Sequence, residues 1–426
     1  MPQSSSQTNR VTPNSVKTTA PTYLVTNARV PGYEGFHQIW IDPSGMIQTI
    51  QPMNQALKRL PPDSLKILDI AGDWVSLGGV DGQINGALGL AFPDVTERDF
   101  DRLSEICQFL WQQGLDGFLP TIVTTSGEKI RRSLDAIAAF RDRPQPSRSA
   151  RILGVHLEGP FLHPAKRGAH PQEHLQPLTL DTVQAVLGPH SSLVRVMTLA
   201  PELDPTHTVI PYLRAQGIVV SLGHSQATAQ EANAAFEQGA SMVTHAFNAM
   251  PSLHHREPGL LGAALLRSGI HCGLIADGQH ITPAMVDLLV RLSRGNLSGQ
   301  SIEDGLFLVS DALAPLGLPD GTYPWDSRQI TVTHGTARLD DGTLAGTTLP
   351  LLEGVKNLVR WGVCSPGEAI ALATTAPRRA LRPASTPSGK GSRAYNPYLD
   401  KSASLLRWKL DSTTQELTWQ RLLPRP

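Results

Sequence analysis

Three short apolar segments of this chain each end in a side chain that can bind a metal ion. Glu158 closes the first segment, His224 the second and His245 the third. One carboxylate and two imidazoles suit a catalytic zinc-type site, in which the fourth position stays free for water. No member of this set is specific by itself. The three in order, each at the end of a predicted strand, indicate one metal site assembled from three strand ends.

Each of these residues also has a structural interpretation. A carboxylate at the end of a buried strand is costly unless it is paired, and Lys166 or Arg167 could supply the partner of Glu158. A lone strand-end histidine is more often a hydrogen-bonded structural residue than a ligand. Two such histidines in consecutive units, after a carboxylate in the same kind of position, favour the metal site.

Two further residues could move protons or stabilise charge. Asp311 follows the apolar segment 306–310 and could accept a proton from water and then donate it to a leaving amine. The alternative is that Asp311 caps the turn at 312–314. His170 lies in the loop after Glu158 and could donate a hydrogen bond to a substrate carbonyl and its oxyanion, although an isolated loop histidine is commonly a surface residue. His280, in a glycine-containing loop after a strand, could contact substrate in a similar way.

Arg256 lies in a loop rich in proline and glycine, and its planar fork of donors suits a phosphate or a carboxylate. A salt bridge to Glu257 or a solvated side chain is the alternative. Asn248 and Ala249 could add donors to the same anion.

The first strand of the predicted barrel argues against a second metal ion. Many metal-dependent hydrolase barrels carry two histidines there, whereas this chain has Gln83 and Asn85. Neutral amides are poor zinc ligands, and no lysine stands at a strand end to bridge two ions. One metal ion is therefore expected.

The elements that must position these residues alternate along the chain. From Trp74 onward, short apolar segments alternate with amphipathic ones, which predicts repeated β-then-α units and a parallel sheet. About eight such units predict a TIM-type (β/α)₈ barrel of the α/β class over 74–384, with reactive residues at the carboxyl ends of its strands. The segments 21–73 and 385–426 read as strands and are predicted to form one small β-sandwich from both chain ends. Residues 1–20, rich in Ser, Thr, Pro and Gln, are expected to be a disordered leader.

Composition excludes several functions. The 426 residues contain 37 Lys+Arg and 37 Asp+Glu, so no basic excess favours nucleic acid or an anionic membrane. The sequence contains no apolar run of about 18 residues, so no membrane-spanning helix is expected. Cys107, Cys272 and Cys364 fit no metal spacing and indicate a reducing compartment, so a cytoplasmic protein is expected.

Ten motifs of the chain, taken in order, resemble the amidohydrolase superfamily and, within it, the N-acetylglucosamine-6-phosphate deacetylases. The resemblance covers roughly residues 22–420. The matching motifs are QING at 83–86, HLEGP at 156–160, GAH at 168–170, LAPE at 199–202, GHS at 223–225, THAFNAM at 244–250, REPG at 256–259, ADGQH at 276–280, SDA at 310–312 and LAG at 344–346.

The resemblance implies that the substrate is N-acetylglucosamine 6-phosphate and that the products are glucosamine 6-phosphate and acetate. It implies that a metal-activated water attacks the amide and that Asp311 is the proton acceptor and donor. One divalent ion per subunit is expected on Glu158, His224 and His245, with zinc first and iron, manganese or cobalt as ions that the same donors accept. It further implies a homodimer in which Arg256 reaches the phosphate in the neighbouring site. The implied substrate contacts are Ala169, His170, Asn248, Ala249, Arg256, His280, Leu344, Ala345 and Gly346.

Two other functions compete with this one. A hydrolase of the same superfamily could act on a cyclic amide or a nucleobase, but the Gln83/Asn85 pair and the Arg256 loop argue against it. A catalytically silent barrel could bind amino-sugar phosphates as a sensor, but such a barrel need not keep all of Glu158, His224, His245 and Asp311.

Overall fold

The computed structural model describes residues 22–56, 65–295, 302–382, 396–399, 401–402 and 404–422. The predicted leader at 1–20 and the predicted domain boundary at 384–385 lie outside the described residues. Among the described residues, no helix combines the length and the apolar character needed to cross a membrane.

The described residues alternate between strands and helices over most of the chain. The strands are β1 (Thr22–Ala28), β2 (His37–Ile41), β3 (Ile47–Pro52), β4 (Leu65–Asp69), β5 (Trp74–Leu77), β6 (Gly79–Ile84), β7 (Gly86–Ala87), β8 (Leu90–Ala91), β9 (Leu115–Val123), β10 (Arg151–Ile152), β11 (Val155–Glu158), β12 (Val194–Leu199), β13 (Val219–Leu222), β14 (Met242–Val243), β15 (His271–Leu274), β16 (Leu306–Leu308), β17 (Gly321–Trp325), β18 (Arg328–Thr333), β19 (Thr336–Leu339), β20 (Leu344–Thr347), β21 (Leu405–Leu410) and β22 (Leu417–Arg421). The α-helices are α1 (Phe100–Gln112), α2 (Gly127–Arg141), α3 (Leu180–Leu187), α4 (Val209–Ala215), α5 (Ala229–Gln238), α6 (Gly259–Leu265), α7 (Pro283–Gly295), α8 (Leu351–Arg360) and α9 (Pro366–Ala380).

Eight parallel strands form the predicted barrel. Their order is β6-β9-β11-β12-β13-β14-β15-β16, and each neighbouring pair is parallel. The last strand returns to the first through a parallel bridge between Ile84 and Ala312 and a 2.7 Å hydrogen bond from the Asn85 N–H to the Ala312 carbonyl. Every residue of β6, β11 and β13 is buried, as expected for strands covered by helices outside and by packed side chains inside. The α/β barrel prediction is therefore confirmed.

The helices begin and end where their sequences favour it. Helix α5 begins at a capping box in which the Thr228 side chain accepts from the Glu231 N–H and the Glu231 carboxylate accepts from Thr228. It ends at Gly239, whose φ of 115° few other residues adopt. These short, well-defined helices return the chain to the start of the next strand, so that successive strand ends meet at one face of the barrel.

Strands from both ends of the chain pack together beside the barrel. One sheet has the order β3-β2-β1-β4, and a second has the order β22-β21-β5. Val25, Ile39, Val75, Tyr398 and Leu405 belong to one buried cluster between these sheets. The first strand after Asp73, β5, pairs with β21 near the carboxyl end of the chain and leads directly into β6 of the barrel.

A further sheet, antiparallel throughout, lies within the barrel segment, after β16 and before α8. Its order is β17-β18-β19-β20, and its buried cluster includes Leu313, Ile330 and Ala337. Pro324 in β17 and Gly346 in β20 are residue types that strands disfavour, so these two strands depend on their tertiary contacts.

Candidate active site

The carboxyl ends of the barrel strands carry backbone conformations that favour glycine, although other residues occupy them. His224, His245 and Asp311 have φ values of 49°, 26° and 48°. A left-handed φ at a non-glycine residue costs roughly 1–3 kcal/mol and persists where the surrounding structure holds it. At these three positions the chain turns sharply out of a strand, and each side chain lines the mouth of the barrel.

The three predicted metal ligands converge on one point. Oε1 of Glu158 lies 3.3 Å from Nε2 of His224 and 3.2 Å from Nε2 of His245, and the two Nε2 atoms are 3.0 Å apart. In a tetrahedral zinc site with bonds of 2.0–2.2 Å, ligand atoms lie about 3.3 Å from each other. All three side chains are buried. The donor set and its spacing therefore fit one small divalent ion.

Hydrogen bonding fixes which nitrogen of His224 faces the cluster. Nδ1 of His224 lies 2.9 Å from the carbonyl oxygen of Lys166, which can only accept. Nδ1 therefore carries the proton and Nε2 keeps its lone pair for a metal ion. A carbonyl that orients a ligating imidazole in this way is typical of metal sites.

His170 also lies within reach, since one ligand atom from each of Glu158, His170 and His224 falls within 4.8 Å of the others. Its hydrogen bonds make it a donor instead of a ligand. Nδ1 of His170 accepts from the backbone N–H of Thr124 at 3.3 Å, so the proton of the neutral ring is on Nε2. Burial, together with the nearby His224, lowers the pKa of His170 to about 3, which keeps the ring neutral. His245 therefore completes the cluster with Glu158 and His224, and Nε2 of His170 carries a proton that it can donate.

The two amides of the first barrel strand hold the acidic residues in place. Nδ2 of Asn85 donates to Oδ1 of Asp311 at 2.7 Å, and Nε2 of Gln83 donates to Oδ1 of Asp311 at 3.2 Å. Nε2 of Gln83 also lies 2.9 Å from Oε1 of Glu158. Amide N–H groups thus occupy the space between two carboxylates. The sequence marked these residues only as poor ligands, and their role as donors required the closed barrel.

The electrostatics of the site separate the two carboxylates. Burial opposes ionisation of Glu158, but the neighbouring imidazoles of His224 and His245 outweigh it and hold the pKa of Glu158 well below its ordinary value. Burial and the charge of Glu158 raise the pKa of Asp311 to about 6. Carboxylates with divergent pKa values in one site are typical of a division of labour between charge stabilisation and proton transfer.

These residues line a cavity of about 710 Å³. The cavity brings together most of the predicted contacts, which are Glu158, Ala169, His170, His224, His245, Asn248, Ala249, His280, Asp311, Leu344 and Ala345. Two predicted contacts are not part of its lining. Gly346 packs behind it, where an added Cβ would lie 2.8 Å from the Asp311 carbonyl oxygen. Arg256 is exposed, and its Nη1 lies 3.0 Å from Nε2 of His255.

The comparison with known proteins shows close relatives. The N-acetylglucosamine-6-phosphate deacetylase of Homo sapiens is 36% identical over 321 residues, which are 74% of this chain and 76% of that protein. The N-acetylgalactosamine-6-phosphate deacetylase of Escherichia coli O157:H7 is 34% identical over 302 residues, 71% of this chain and 76% of the relative. The chain belongs to the N-acetylglucosamine-6-phosphate deacetylase family. No family model matches the chain.

Solved structures of this deacetylase family share the fold. The enzyme of Mycobacterium smegmatis, in a mutant form in complex with N-acetyl-D-glucosamine-6-phosphate, has a TM-score of 0.75 and 26% identity, covering 94% of this chain and 98% of that one. The deacetylase of Thermotoga maritima has a TM-score of 0.71 and 29% identity, covering 93% and 98%.

Several structural alternatives are not realised in this deacetylase. The Glu158 carboxylate forms no ion pair with Lys166 or Arg167, which are both described, and its partners are Gln83 and the two histidines. The carboxylate of Asp311 accepts from amide side chains instead of capping the turn that follows it. Glu257, the alternative salt-bridge partner of Arg256, accepts instead from the backbone N–H groups of Ala229 and Gly259.

A buried layer of polar side chains lies beneath Glu158, His224 and His245 and was not predicted from the sequence. His156, two residues before Glu158 and on the same face of its strand, lies 2.7 Å from Oγ1 of Thr198. The Thr198 hydroxyl oxygen lies 2.7 Å from the Thr244 hydroxyl oxygen, which lies 2.6 Å from the Ser221 hydroxyl oxygen. Burial lowers the pKa of His156 to about 4, so a neutral ring completes this layer. The available signal was the alternation of side-chain direction along β11, which places His156 on the same face of the strand as Glu158.

Gly223 holds His224 in place through close packing, and we expect Gly223→Ala to destabilise the protein. An added Cβ would lie 2.8 Å from Cβ of Thr244 and 3.1 Å from Cγ2 of Thr198. Overpacking of this kind costs about 1–3 kcal/mol, so the free energy of unfolding in urea should fall by that amount. Gly127→Ala is the matched control, because its Cβ meets nothing within 4 Å at the start of a helix. Equal stability of both variants would contradict the packing argument.

Proposed function

We propose that this chain hydrolyses the acetamide group of an N-acetylated amino-sugar 6-phosphate, with N-acetylglucosamine 6-phosphate as the first candidate, to the free amine and acetate. The observation that carries the proposal is the convergence of Glu158, His224 and His245 on one point, with Asp311 in the same cavity. Membership of the deacetylase family supports the substrate class.

A divalent ion on Glu158, His224 and His245 would lower the pKa of a coordinated water and polarise the acetyl carbonyl. We propose one ion per subunit, with zinc as the first candidate. The amides of Gln83 and Asn85, which already donate to the carboxylates, leave no imidazole or thiolate for a second ion at the first strand.

The residues of the chain divide the rest of the reaction among them. Asp311 takes a proton from the attacking water as the oxygen adds to the acetyl carbon. The Nε2 proton of His170 stabilises the negative charge that develops on the carbonyl oxygen. Asp311 then returns the proton to the nitrogen as the carbon–nitrogen bond breaks, so acetic acid and the neutral amine form, and the acid then gives up its remaining proton to water to become acetate. The Asn85 and Gln83 amides occupy Oδ1 of Asp311, so Oδ2 is the oxygen available for proton transfer.

The remaining cavity residues are proposed to hold the sugar. Nδ1 of His280 lies 2.7 Å from Oδ2 of Asp277, which fixes the ring at the cavity wall. Ala169, Asn248 and Ala249 lie on the two loops beside Glu158, His224 and His245, and Leu344 and Ala345 come from the inserted antiparallel sheet. These contacts orient the acetamide toward the cluster.

The assay that tests the proposal follows acetate and free amine from the metal-analysed protein. The substrates are N-acetylglucosamine 6-phosphate, N-acetylgalactosamine 6-phosphate, unphosphorylated N-acetylglucosamine and a cyclic amide. We expect the phosphorylated amino sugars to react fastest and a chelator to stop the reaction. The galactosamine epimer is included because the Escherichia coli O157:H7 relative is named for it. Turnover of the cyclic amide alone, or none with metal bound, would refute the proposal.

We also propose a homodimer in which Arg256 reaches the phosphate in the neighbouring subunit's cavity. We further propose that the protein is cytoplasmic. The exposed position of Arg256, outside the cavity of its own subunit, supports the arrangement. The three cysteines, all buried and unpaired, support a reducing compartment.

For Arg256→Ala we expect kcat/KM to fall by about 10- to 100-fold for the phosphorylated substrate, because a charged hydrogen bond is lost, and to change little for unphosphorylated N-acetylglucosamine. Arg291→Ala, at an exposed arginine paired with Asp287, controls for the loss of a surface charge. Co-expression of Arg256→Ala with Asp311→Asn subunits should give activity above that of either variant alone. Equal losses on both substrates would argue against a phosphate contact, and no recovery would argue against the shared site.

A further inference from the structure

In the part of the chain that the structure describes, three lysine and arginine side chains line the cavity, and two of them are already neutralised. Nζ of Lys129 lies 2.8 Å from Oδ1 of Asp94, and Nη2 of Arg328 lies 2.5 Å from Oδ2 of Asp326. Lys166 differs, because it forms no ion pair with any residue that the structure describes. Its Nζ donates to the carbonyl oxygen of Met250 at 3.1 Å, which leaves two of its three donors free.

Two hydrogen bonds join the backbone around Lys166 to His224, one of the proposed metal ligands. Lys166 ends a 3₁₀ turn, Pro164–Lys166, in the loop after Glu158. The carbonyl oxygen of Lys166 accepts from Nδ1 of His224 at 2.9 Å, and the N–H of His163 donates to the His224 carbonyl at 2.9 Å. The turn therefore has a fixed position relative to His224. A side chain that starts from such a fixed turn loses less conformational freedom when it binds a ligand.

The side chain of Lys166 reaches from this turn to the neighbouring loop. Its contact, Met250, is the last residue of the segment that carries Asn248 and Ala249, and Lys166, Asn248 and Ala249 all line the cavity. The half-buried ammonium group thus lies between the two loops proposed to hold the sugar. An ammonium group without a carboxylate partner, at the wall of a cavity, suits an anionic part of a ligand.

We infer that Lys166 binds the substrate's 6-phosphate within its own subunit, an inference that rests on the proposed function. The acetamide must face the metal cluster deep in the cavity, so the phosphate at the other end of the sugar lies toward the outer wall. Among the described residues that line the cavity, Lys166 supplies the one lysine or arginine charge that no aspartate neutralises. Arg256, which lies outside this cavity, would then contribute a second positive charge to the phosphate that Lys166 binds.

The test compares Lys166→Met with Lys166→Arg and with Lys129→Met as the matched control. Lys166→Met keeps the length of the side chain and removes its charge. We expect its kcat/KM for N-acetylglucosamine 6-phosphate to fall by about 10- to 100-fold, mainly through KM, with little change for unphosphorylated N-acetylglucosamine. Lys166→Arg should recover part of this loss. Lys129→Met should change kcat/KM by less than about threefold, because it breaks only an exposed ion pair.

A binding measurement keeps the inference separate from the proposed function. Calorimetric titration with glucosamine 6-phosphate and with glucosamine measures what the phosphate contributes, whether or not the protein turns substrate over. We expect Lys166→Met to lose most of the preference for the phosphorylated sugar, at unchanged metal content and melting temperature. A protein that binds glucosamine 6-phosphate through Lys166 but releases no acetate would refute the proposed function and leave the inference standing.

Two results would overturn the inference. Equal losses of kcat/KM on phosphorylated and unphosphorylated substrates would show that Lys166 acts only by tying its loop to Met250. A preference for glucosamine 6-phosphate that survives in Lys166→Met would place the phosphate elsewhere.

Discussion

Replacing Asp311 with asparagine is expected to lower kcat by about 10²- to 10⁴-fold while the metal stays bound, because general base and acid catalysis contributes about that much. Asparagine has nearly the same shape, and its oxygen can still accept from Nδ2 of Asn85 and Nε2 of Gln83. What it lacks is the ability to take a proton from water and return it to the amine. The measurement is steady-state acetate release together with the metal content per chain.

The structure also predicts the stability of this variant. The charge of Glu158 opposes ionisation of Asp311, so removing the second carboxylate relieves a repulsion and should not lower the melting temperature. A variant that folds, binds metal and is slow would place Asp311 in the chemical step. Retention of near-full kcat would remove Asp311 from the mechanism, and loss of metal together with activity would make it a ligand instead.

Replacing Glu158 with glutamine is expected to abolish metal binding and activity together. Glutamine fills the same space, but it removes the one charged donor of the set and leaves two neutral imidazoles. Loss of an outer-shell partner typically costs 10- to 100-fold in metal affinity, so loss of a direct ligand should cost more than about 100-fold. The measurement is metal content after dialysis against a weak chelator, followed by acetate release before and after metal is restored.

The matched control for this variant is Glu173→Gln. Glu173 also lines the cavity but is exposed and lies outside the metal cluster. Its substitution should leave the metal content unchanged. If Glu158→Gln kept one metal per chain through the same dialysis, His170 would be the replacement ligand to examine, since its ligand atom is near those of Glu158 and His224.

These two predictions involve residues that sequence order alone could identify. Glu158, His224, His245 and Asp311 each follow an apolar segment of strand length, and the carboxyl ends of parallel barrel strands meet at one face. Helix α2, Gly127–Arg141, is likewise determined locally, because its alternation of apolar and polar residues and its first-turn acid lie within its own sequence. Such signals lie within a few residues of the position they determine.

Other parts of the site depend on residues that are far apart in the chain. Asn85 and Asp311 are separated by 226 positions, and only closure of the barrel brings their side chains to 2.7 Å. The strands β17 and β20 contain residues that strands disfavour and form because β18 and β19 lie beside them. Lys166 could be read as a partner for Glu158, whereas its ammonium group reaches Met250 instead.

The sequence by itself determined the donor set, the order of the strands that deliver it and the family, because residue types and their local spacing carry that information. The tertiary structure decided which nitrogen of His224 faces Glu158 and His245, that the proton of His170 is on Nε2 and that Lys166 has no ion pair among the described residues. Each of those outcomes depends on a hydrogen bond between distant segments, and the geometry of such a bond exists only after the chain has folded.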